Sequence, residues 1–381
     1  MNVLWILLAF VALWILVRFL VRLFAPRPTY WDEGAADGGE EEPTRRKRLR
    51  ATAAHRPQLL AQNGLPNLAT RDELAAAMGI PRRALDWLAF PDPGGEPPHY
   101  VGFAVKKASG GYRVLYAPKP RLKAAQHWIH REILAKVRPL DAAHGFVPGR
   151  SIHTNAAPHA KRDIVITLDI EDFFPSITYR RVRGLFQAIG YGEEAAIPLA
   201  MLCTVRPAPK VQKFLGGAHH RMLPQGAPTS PAIANLACRH LDARLSGLAK
   251  KFGCAYTRYA DDLTFSGDEA FEKSLERFLP LLHQILKEEG FRVNKKKVHF
   301  ARRGARQKVT GLVVNDGPRV PRSYRRQLRA ILHNARKGGL DAQNRQGHSR
   351  FRESLRGRIE FVRATHPQLA DRLLAELKAL R

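Results

Sequence analysis

Four residues, Tyr259-Ala260-Asp261-Asp262, constrain this chain more than any other stretch. Two adjacent carboxylates sit between apolar, β-prone segments, Cys254 to Tyr259 and Leu263 to Ser266. That pattern predicts a tight hairpin with both acids at its tip. Like charges crowded within a few ångströms repel. They are tolerated where a divalent cation sits between them. A third candidate, Asp169, ends the near-continuous apolar strand Ile164-Val-Ile-Thr-Leu-Asp169. One acid on a strand and two on a hairpin make a donor set for two metal ions. An Asp-Asp pair alone is also what an ordinary surface turn looks like, so its companions decide the reading.

Charge is the first companion. The chain has 381 residues, enough for two or three domains, and 45% of them are hydrophobic. It carries 63 Lys+Arg against 34 Asp+Glu, a net charge of +29, far beyond what solubility asks for. Such a surface suits polyanions, nucleic acid first and anionic membrane second. The basic residues concentrate late: residues 292–308 hold eight Lys/Arg and no Asp/Glu, and residues 321–381 hold fifteen against five. The cysteines, Cys203, Cys238 and Cys254, lack metal-ligand spacing, and their odd number argues against a disulfide framework.

Residues 1–25 are predicted to form a membrane helix. Val3 to Val17 is uninterrupted apolar sequence, and the run continues past Arg18 and Arg22, which can snorkel. Basic residues lie only on its C-terminal side. The positive-inside rule then gives a single pass through the inner (cytoplasmic) membrane, with the main body in the cytoplasm. A helix lying in the membrane plane is the alternative, because Arg18 and Arg22 share one face. Residues 26–58 run Pro-rich, then acidic, then basic, which reads as a disordered charged linker.

Beyond the linker, helical and strand patterns alternate, giving an α+β class. Helices are expected over Arg71 to Leu88 (interrupted at Pro81), Leu122 to Val137, Arg180 to Ile189, Ala195 to Val205, Ser230 to Leu245 and Glu269 to Gly290. Strands are expected at Tyr100 to Val105 and Tyr112 to Tyr116, at Asp169, at the Asp-Asp hairpin and near Arg292 to Phe300.

Four blocks then follow in order across residues 100–265. They are Lys106-Lys107-Ala-Ser-Gly-Gly-Tyr-Arg113, Ile166-Thr-Leu-Asp169-Ile170-Glu-Asp-Phe-Phe174, Leu223-Pro-Gln225-Gly226-Ala-Pro-Thr-Ser-Pro231 and Tyr259-Ala-Asp261-Asp262. They resemble the fingers hairpin, first metal block, nucleotide-pocket block and second metal block of reverse transcriptases. Asn155-Ala-Ala-Pro-His159 and Val309-Thr310-Gly311 further resemble the NAxxH and VTG blocks of retron reverse transcriptases.

The resemblance implies a right-hand polymerase, with fingers and palm over residues 59–315 and a basic helical thumb over 316–381. Asp169, Asp261 and Asp262 would hold two Mg²⁺ ions, whose preference for hard oxygen ligands they suit, with the Ile170 carbonyl as an extra ligand. Glu171 and Asp172 would stay off the metals. Lys106 and Arg113 are expected on one face of their hairpin, closing over an incoming triphosphate. Phe174 would be the steric gate that selects dNTPs, although the neighbouring Phe173 is equally apolar. Gln225 and Gly226 would line the nucleotide pocket. Asn155 and His159 would hold RNA, whereas the residues by themselves favour a buried structural histidine at 159. Val309, Thr310 and Gly311 would either touch RNA or pack the thumb root. Arg325, Arg326 and Arg329 recur at helical spacing and would grip RNA phosphates.

Taken further, the resemblance implies copying of a cognate structured non-coding RNA that is both template and primer. The product would be a 2′,5′-branched RNA–DNA in anti-phage defence, with a partner effector protein. Another bacterial reverse transcriptase lineage and a catalytically silent RNA-binding scaffold are the alternatives.

Overall fold

A computed structural model describes residues 54–90, 99–106, 110, 112–207 and 221–380. The expected membrane helix, residues 1–25, lies outside the described residues, as does all but the end of the expected linker. Among the described residues no helix is long and apolar enough to cross a membrane. The last linker residues are already part of the fold. Arg56 donates to the Gln187 carbonyl at 2.6 Å, and a helix begins at Pro57.

The centre is a four-stranded antiparallel sheet of order β4-β5-β3-β6. β3 (Ile164–Asp169) is its apolar spine, and only Thr167 along it is not fully buried. β4 (Ala255–Tyr259) and β5 (Asp262–Gly267) form the hairpin expected from the Asp-Asp motif. β6 (His299–Arg302) closes the other edge. Aromatic rings fasten helices to one face. Tyr256 stacks on Phe265 at 4.8 Å, and Phe278 of the helix Leu275–Glu288 meets the edges of Phe252, Phe265 and Phe271 at 5.0–5.4 Å.

A separate two-stranded hairpin, β1 (Tyr100–Lys106) with β2 (Tyr112–Pro118), precedes the sheet. Its base is anchored by Tyr100, whose buried hydroxyl accepts from Gln126 at 2.7 Å. After the sheet come the short hairpin β7 (Lys308–Val309) and β8 (Leu312–Val313) and three helices, Arg322–Gly338, Phe351–Arg363 and Pro367–Ala379. Their apolar stripes meet in one core, including Leu328, Leu332, Leu355, Ile359, Leu373 and Leu377. That core is continuous with Val309, Leu312 and Val165.

The helix expected over Leu122 to Val137 ends at Glu132, before a 3₁₀ turn at Leu134–Lys136, and three further expected elements are broken. The helix from Ser230 divides into Ser230–Ala237 and Arg239–Lys251 at Cys238. The helix from Glu269 divides at Ser274. The expected strand from Arg292 is interrupted by a 3₁₀ turn at Lys295–Lys297: Val293 bridges Ile170 before it, and His299–Arg302 pairs with β3 after it. Apolar periodicity runs straight through such breaks, since a one-residue offset barely shifts a helical stripe.

Candidate active site

Sheet register brings the three carboxylates to one end of the sheet. Asp169 is the partner of Asp262 across β3 and β5. Tyr259 pairs with Asp262, so Ala260 and Asp261 alone make the turn, with Ala260 at φ +56°. The turn is fixed from below, because the Ile170 N–H donates to the Asp261 carbonyl at 2.9 Å. Desolvation, then the charges of Asp261 and Asp169, push the Asp262 carboxyl up to about 6. Desolvation also raises Asp261, and Asp169 adds to it.

Two basic-segment residues meet this site unforeseen. Lys297 Nζ donates to Asp169 Oδ1 at 2.7 Å, and Asn294 Nδ2 donates to Oδ2 at 3.3 Å. The Asp169 hydrogen bond holds the Lys297 ammonium above its ordinary range. In the sequence Lys295-Lys-Lys297 reads only as a charge run, and the 3₁₀ turn is what aims its last member. Among the described residues no three His, Cys, Asp or Glu are gathered into a group that could hold a metal ion. Register sets the three carboxylates near one another without closing them into such a group, and Lys297 and Asn294 engage the Asp169 oxygens.

Beneath the hairpin lies a buried polar network. Arg258 is wholly buried and forms a two-pronged ion pair with Asp242, itself wholly buried, at 2.8 and 2.6 Å. Its remaining N–H groups reach Asn235 Oδ1 at 3.0 Å and the Ala260 carbonyl at 3.2 Å. Asn235 donates onward to the Gly145 carbonyl at 2.8 Å. A Cβ at Gly145 would lie 2.7 Å from the Ala260 nitrogen. Gly145→Ala should therefore displace the Ala260-Asp261 turn, since overpacking a fixed backbone costs roughly 1–3 kcal/mol. The expected result is slower primer extension and a lower thermal midpoint; a variant matching wild type in both would contradict the close approach. This network had a sequence signal, an Arg inside an apolar strand and an Asp on the apolar face of a helix, and it went unread.

The β1–β2 hairpin corrects one expectation. Lys106 pairs with Tyr112, and Val105 with Arg113. Because side chains alternate faces along a strand, Lys106 and Arg113 lie on opposite faces, not together. Seven residues of separation fixed the spacing but not the parity of the pairing. Arg113 is the one whose charge reaches Asp261. Lys107 lies outside the described residues.

Gly226 sits at φ +110°, where a Cβ would meet the Tyr116 carbonyl at 3.1 Å, and the Gln225 carbonyl accepts from Tyr116 N–H at 2.7 Å. The expected pocket loop is thus tied to β2. Phe173 is buried against Phe291, whereas Phe174 is partly exposed. That separates two rings the sequence could not.

The expected RNA contacts divide. Asn155, His159 and Val309 are wholly buried and make no RNA surface here. His159 Nδ1 meets Ser266 Oγ at 2.7 Å and Nε2 meets Thr257 Oγ1 at 2.8 Å. Thr257 donates to the Asn155 carbonyl, so its oxygen accepts from an Nε2–H tautomer. Asn155 Nδ2 donates to Thr310 Oγ1 at 3.4 Å. Thr310 and Gly311, at φ +45° and +85°, form the β7–β8 turn, which suits the two positive φ values of a type I′ turn. The two blocks therefore knit the central sheet to the C-terminal layer.

Burial holds His159 neutral, down to about 3. The unfolded chain takes up a proton there below about 6.5. Stability from this group is therefore complete above that value and lost as pH falls toward 3, by about 2 kcal/mol at pH 5. Thermal midpoints at pH 7 and 5 should separate less in His159→Gln than in wild type. An equal separation would contradict this.

Arg326 and Arg329 are exposed and Arg325 is half-buried. Desolvation and the neighbouring Arg329, Arg319 and Arg322 lower the Arg325 pKa. The arginines are thus a real cluster of like charge.

Comparison with known proteins places this mixed α+β domain among template-copying polymerases. The family described as Reverse transcriptase (RNA-dependent DNA polymerase) matches residues 105–325. The chain is 44% identical over 345 residues to Retron Mx162 reverse transcriptase of Myxococcus xanthus, covering 86% of this chain and 70% of that one. It is 44% identical over 341 residues to Retron Mx65 reverse transcriptase of the same organism, covering 88% and 77%. It is 34% identical over 269 residues to Retron Ec86 reverse transcriptase of Escherichia coli, covering 70% and 76%. The chain belongs to the retron reverse transcriptases and is an RNA-directed DNA polymerase.

Proposed function

We propose that nucleotidyl transfer occurs at Asp169, Asp261 and Asp262, and that the enzyme copies part of a cognate structured RNA into single-stranded DNA. The observation that carries this is the register that sets Asp169 opposite Asp262, with Asp261 locked to Ile170. Desolvation first, and then repulsion from Asp261 and Asp169, raises Asp262, and a divalent cation would relieve that repulsion. Asp169, Asp261, Asp262 and the Ile170 carbonyl would hold two Mg²⁺. When bound, such ions activate the attacking hydroxyl and neutralise the leaving pyrophosphate.

The protein's own groups do the rest. Arg113, the basic residue of the β1–β2 hairpin whose charge reaches Asp261, neutralises the incoming triphosphate. Phe174, partly exposed beyond buried Phe173, is the ring that excludes a ribose 2′-OH. Gln225 and Gly226 form the pocket floor against β2. Arg325, Arg326 and Arg329 track RNA phosphates in a salt-dependent manner. A fingers–palm–thumb arrangement, with the thumb from residue 316, follows from this reading.

The product is a 2′,5′-branched RNA–DNA, serving anti-phage defence with a partner effector. The apolar residues 1–25 tether the enzyme to the cytoplasmic face of the inner membrane. The test is to purify the chain from its native locus with its nucleic acid and run it on a denaturing gel before and after RNase. A discrete DNA that shifts on RNase treatment supports the reading, and bound RNA without DNA sinks it. Deleting residues 1–26 should move the protein from the membrane fraction while polymerisation persists; a deleted protein that stays in the membrane fraction would sink the tether.

A further inference from the structure

Phe146 is the feature the foregoing account leaves unused. It is an aromatic residue at φ +61°, a backbone region that bulky side chains rarely adopt. Its side chain is nevertheless 50% exposed, so core packing does not explain why the conformation is kept. The loop carrying it is not a loose tip. Ala143 bridges to Arg258, His144 N–H donates to the Arg258 carbonyl at 2.8 Å, and the Gly145 carbonyl accepts from Asn235. Gly145 lies directly against the Ala260 nitrogen, and Arg150 ties the carbonyls of Asp141 and Ala143 at 2.6 Å. Residues 143–145, which lead into Phe146, are thus held against the hairpin that bears Asp261, and Arg150 braces the same loop from within.

The ring itself stands 6.4 Å from the ring of Tyr259, tilted by 41°. Two aromatic rings thus flank the catalytic turn on a rigid mount, one of them turned to water. Strain kept at a functional site is a sign of use when the surrounding structure over-determines it. A flat apolar face beside a nucleotidyl-transfer centre matches a nucleobase or a sugar ring, for which aromatic stacking is tolerant of sequence.

We infer that Phe146 is a positioning residue that, beside Tyr259, stacks on the nucleic-acid strand passing the catalytic carboxylates. This rests on Asp169, Asp261 and Asp262 being the reaction centre. The full-length chain would be titrated with a synthetic RNA template annealed to a fluorescent DNA primer, and primer extension followed in parallel. Phe146→Ala and Phe146→Gly should weaken binding about tenfold, and Phe146→Trp should bind as wild type does. Phe146→Gly should melt no lower than wild type, because glycine accepts a positive φ without strain. Ring-less variants that bind as tightly as wild type would overturn the inference. So would a Trp variant as weak as Ala, or a Gly variant that melts well below wild type, which would make the ring a packing element. Asp261→Asn run beside them should bind normally and fail to extend. Extension by Asp261→Asn would instead unseat the reaction centre, whatever Phe146 does to binding.

Discussion

Asp261→Asn should lower the rate of DNA synthesis by on the order of a thousandfold or more while leaving the fold intact. A metal that polarises the reacting oxygens supplies several kcal/mol of transition-state stabilisation, and each 1.36 kcal/mol is tenfold in rate. Asparagine keeps the shape and removes the anionic donor. The fold should survive because what Asp261 gives to structure is its backbone carbonyl, bonded to Ile170 N–H, and the substitution does not touch it. Losing a carboxylate from a crowded trio relieves repulsion, so the thermal midpoint should hold or rise. Asp169→Asn should be equally inactive. The measurement is single-turnover primer extension alongside a melting curve. Extension within tenfold of wild type would refute the role, and inactivity with a collapsed melting curve would show only that the turn had unfolded.

Asp242→Ala should have the largest effect on stability. It strands the Arg258 guanidinium, wholly buried in the sheet, without its charge partner. Breaking a buried pair from one side costs roughly 3–5 kcal/mol. The damage should extend to activity, since the same guanidinium holds the Ala260 carbonyl and Asn235. Tyr256 also donates to Asp242 at 2.9 Å, so two side chains lose their shared acceptor. Replacing both charges, Asp242→Leu with Arg258→Met, should recover much of the stability, because well-packed apolar residues can substitute for a buried pair. It should not recover full activity, because the Ala260 tether is gone. A single variant as stable as wild type would show that the pair is not buried as described.

What the sequence made legible was one-dimensional. β3, β4 and β5 fell where apolar, β-prone runs placed them, and two acids in a tight turn needed no long-range information. Lys106 and Arg113 failed because a hairpin's facing depends on which residues close the turn, and a slip of one residue inverts every face. RNA contact at Asn155 and His159 gives way to the structural reading of the histidine, because a polar residue in a family block reads alike whether it meets RNA or a buried hydroxyl. Only their place between Thr257, Ser266 and Thr310 assigns them to the interior. Lys297 was hidden in a charge run. Arg258 and Asp242 were visible as charges at apolar positions, and their pairing needed the sheet to bring a helix and a strand together.

The central claim is that divalent cations sit at the end of this sheet. Fe²⁺ added in place of Mg²⁺, with ascorbate and peroxide, cuts the backbone beside the ion it releases radicals from. Cleavage fragments of the full-length chain should end near residues 169–170 and 260–262, should be suppressed by excess Mg²⁺, and should vanish in Asp261→Asn. Cuts confined to other segments, or the same cuts in Asp261→Asn, would contradict the account.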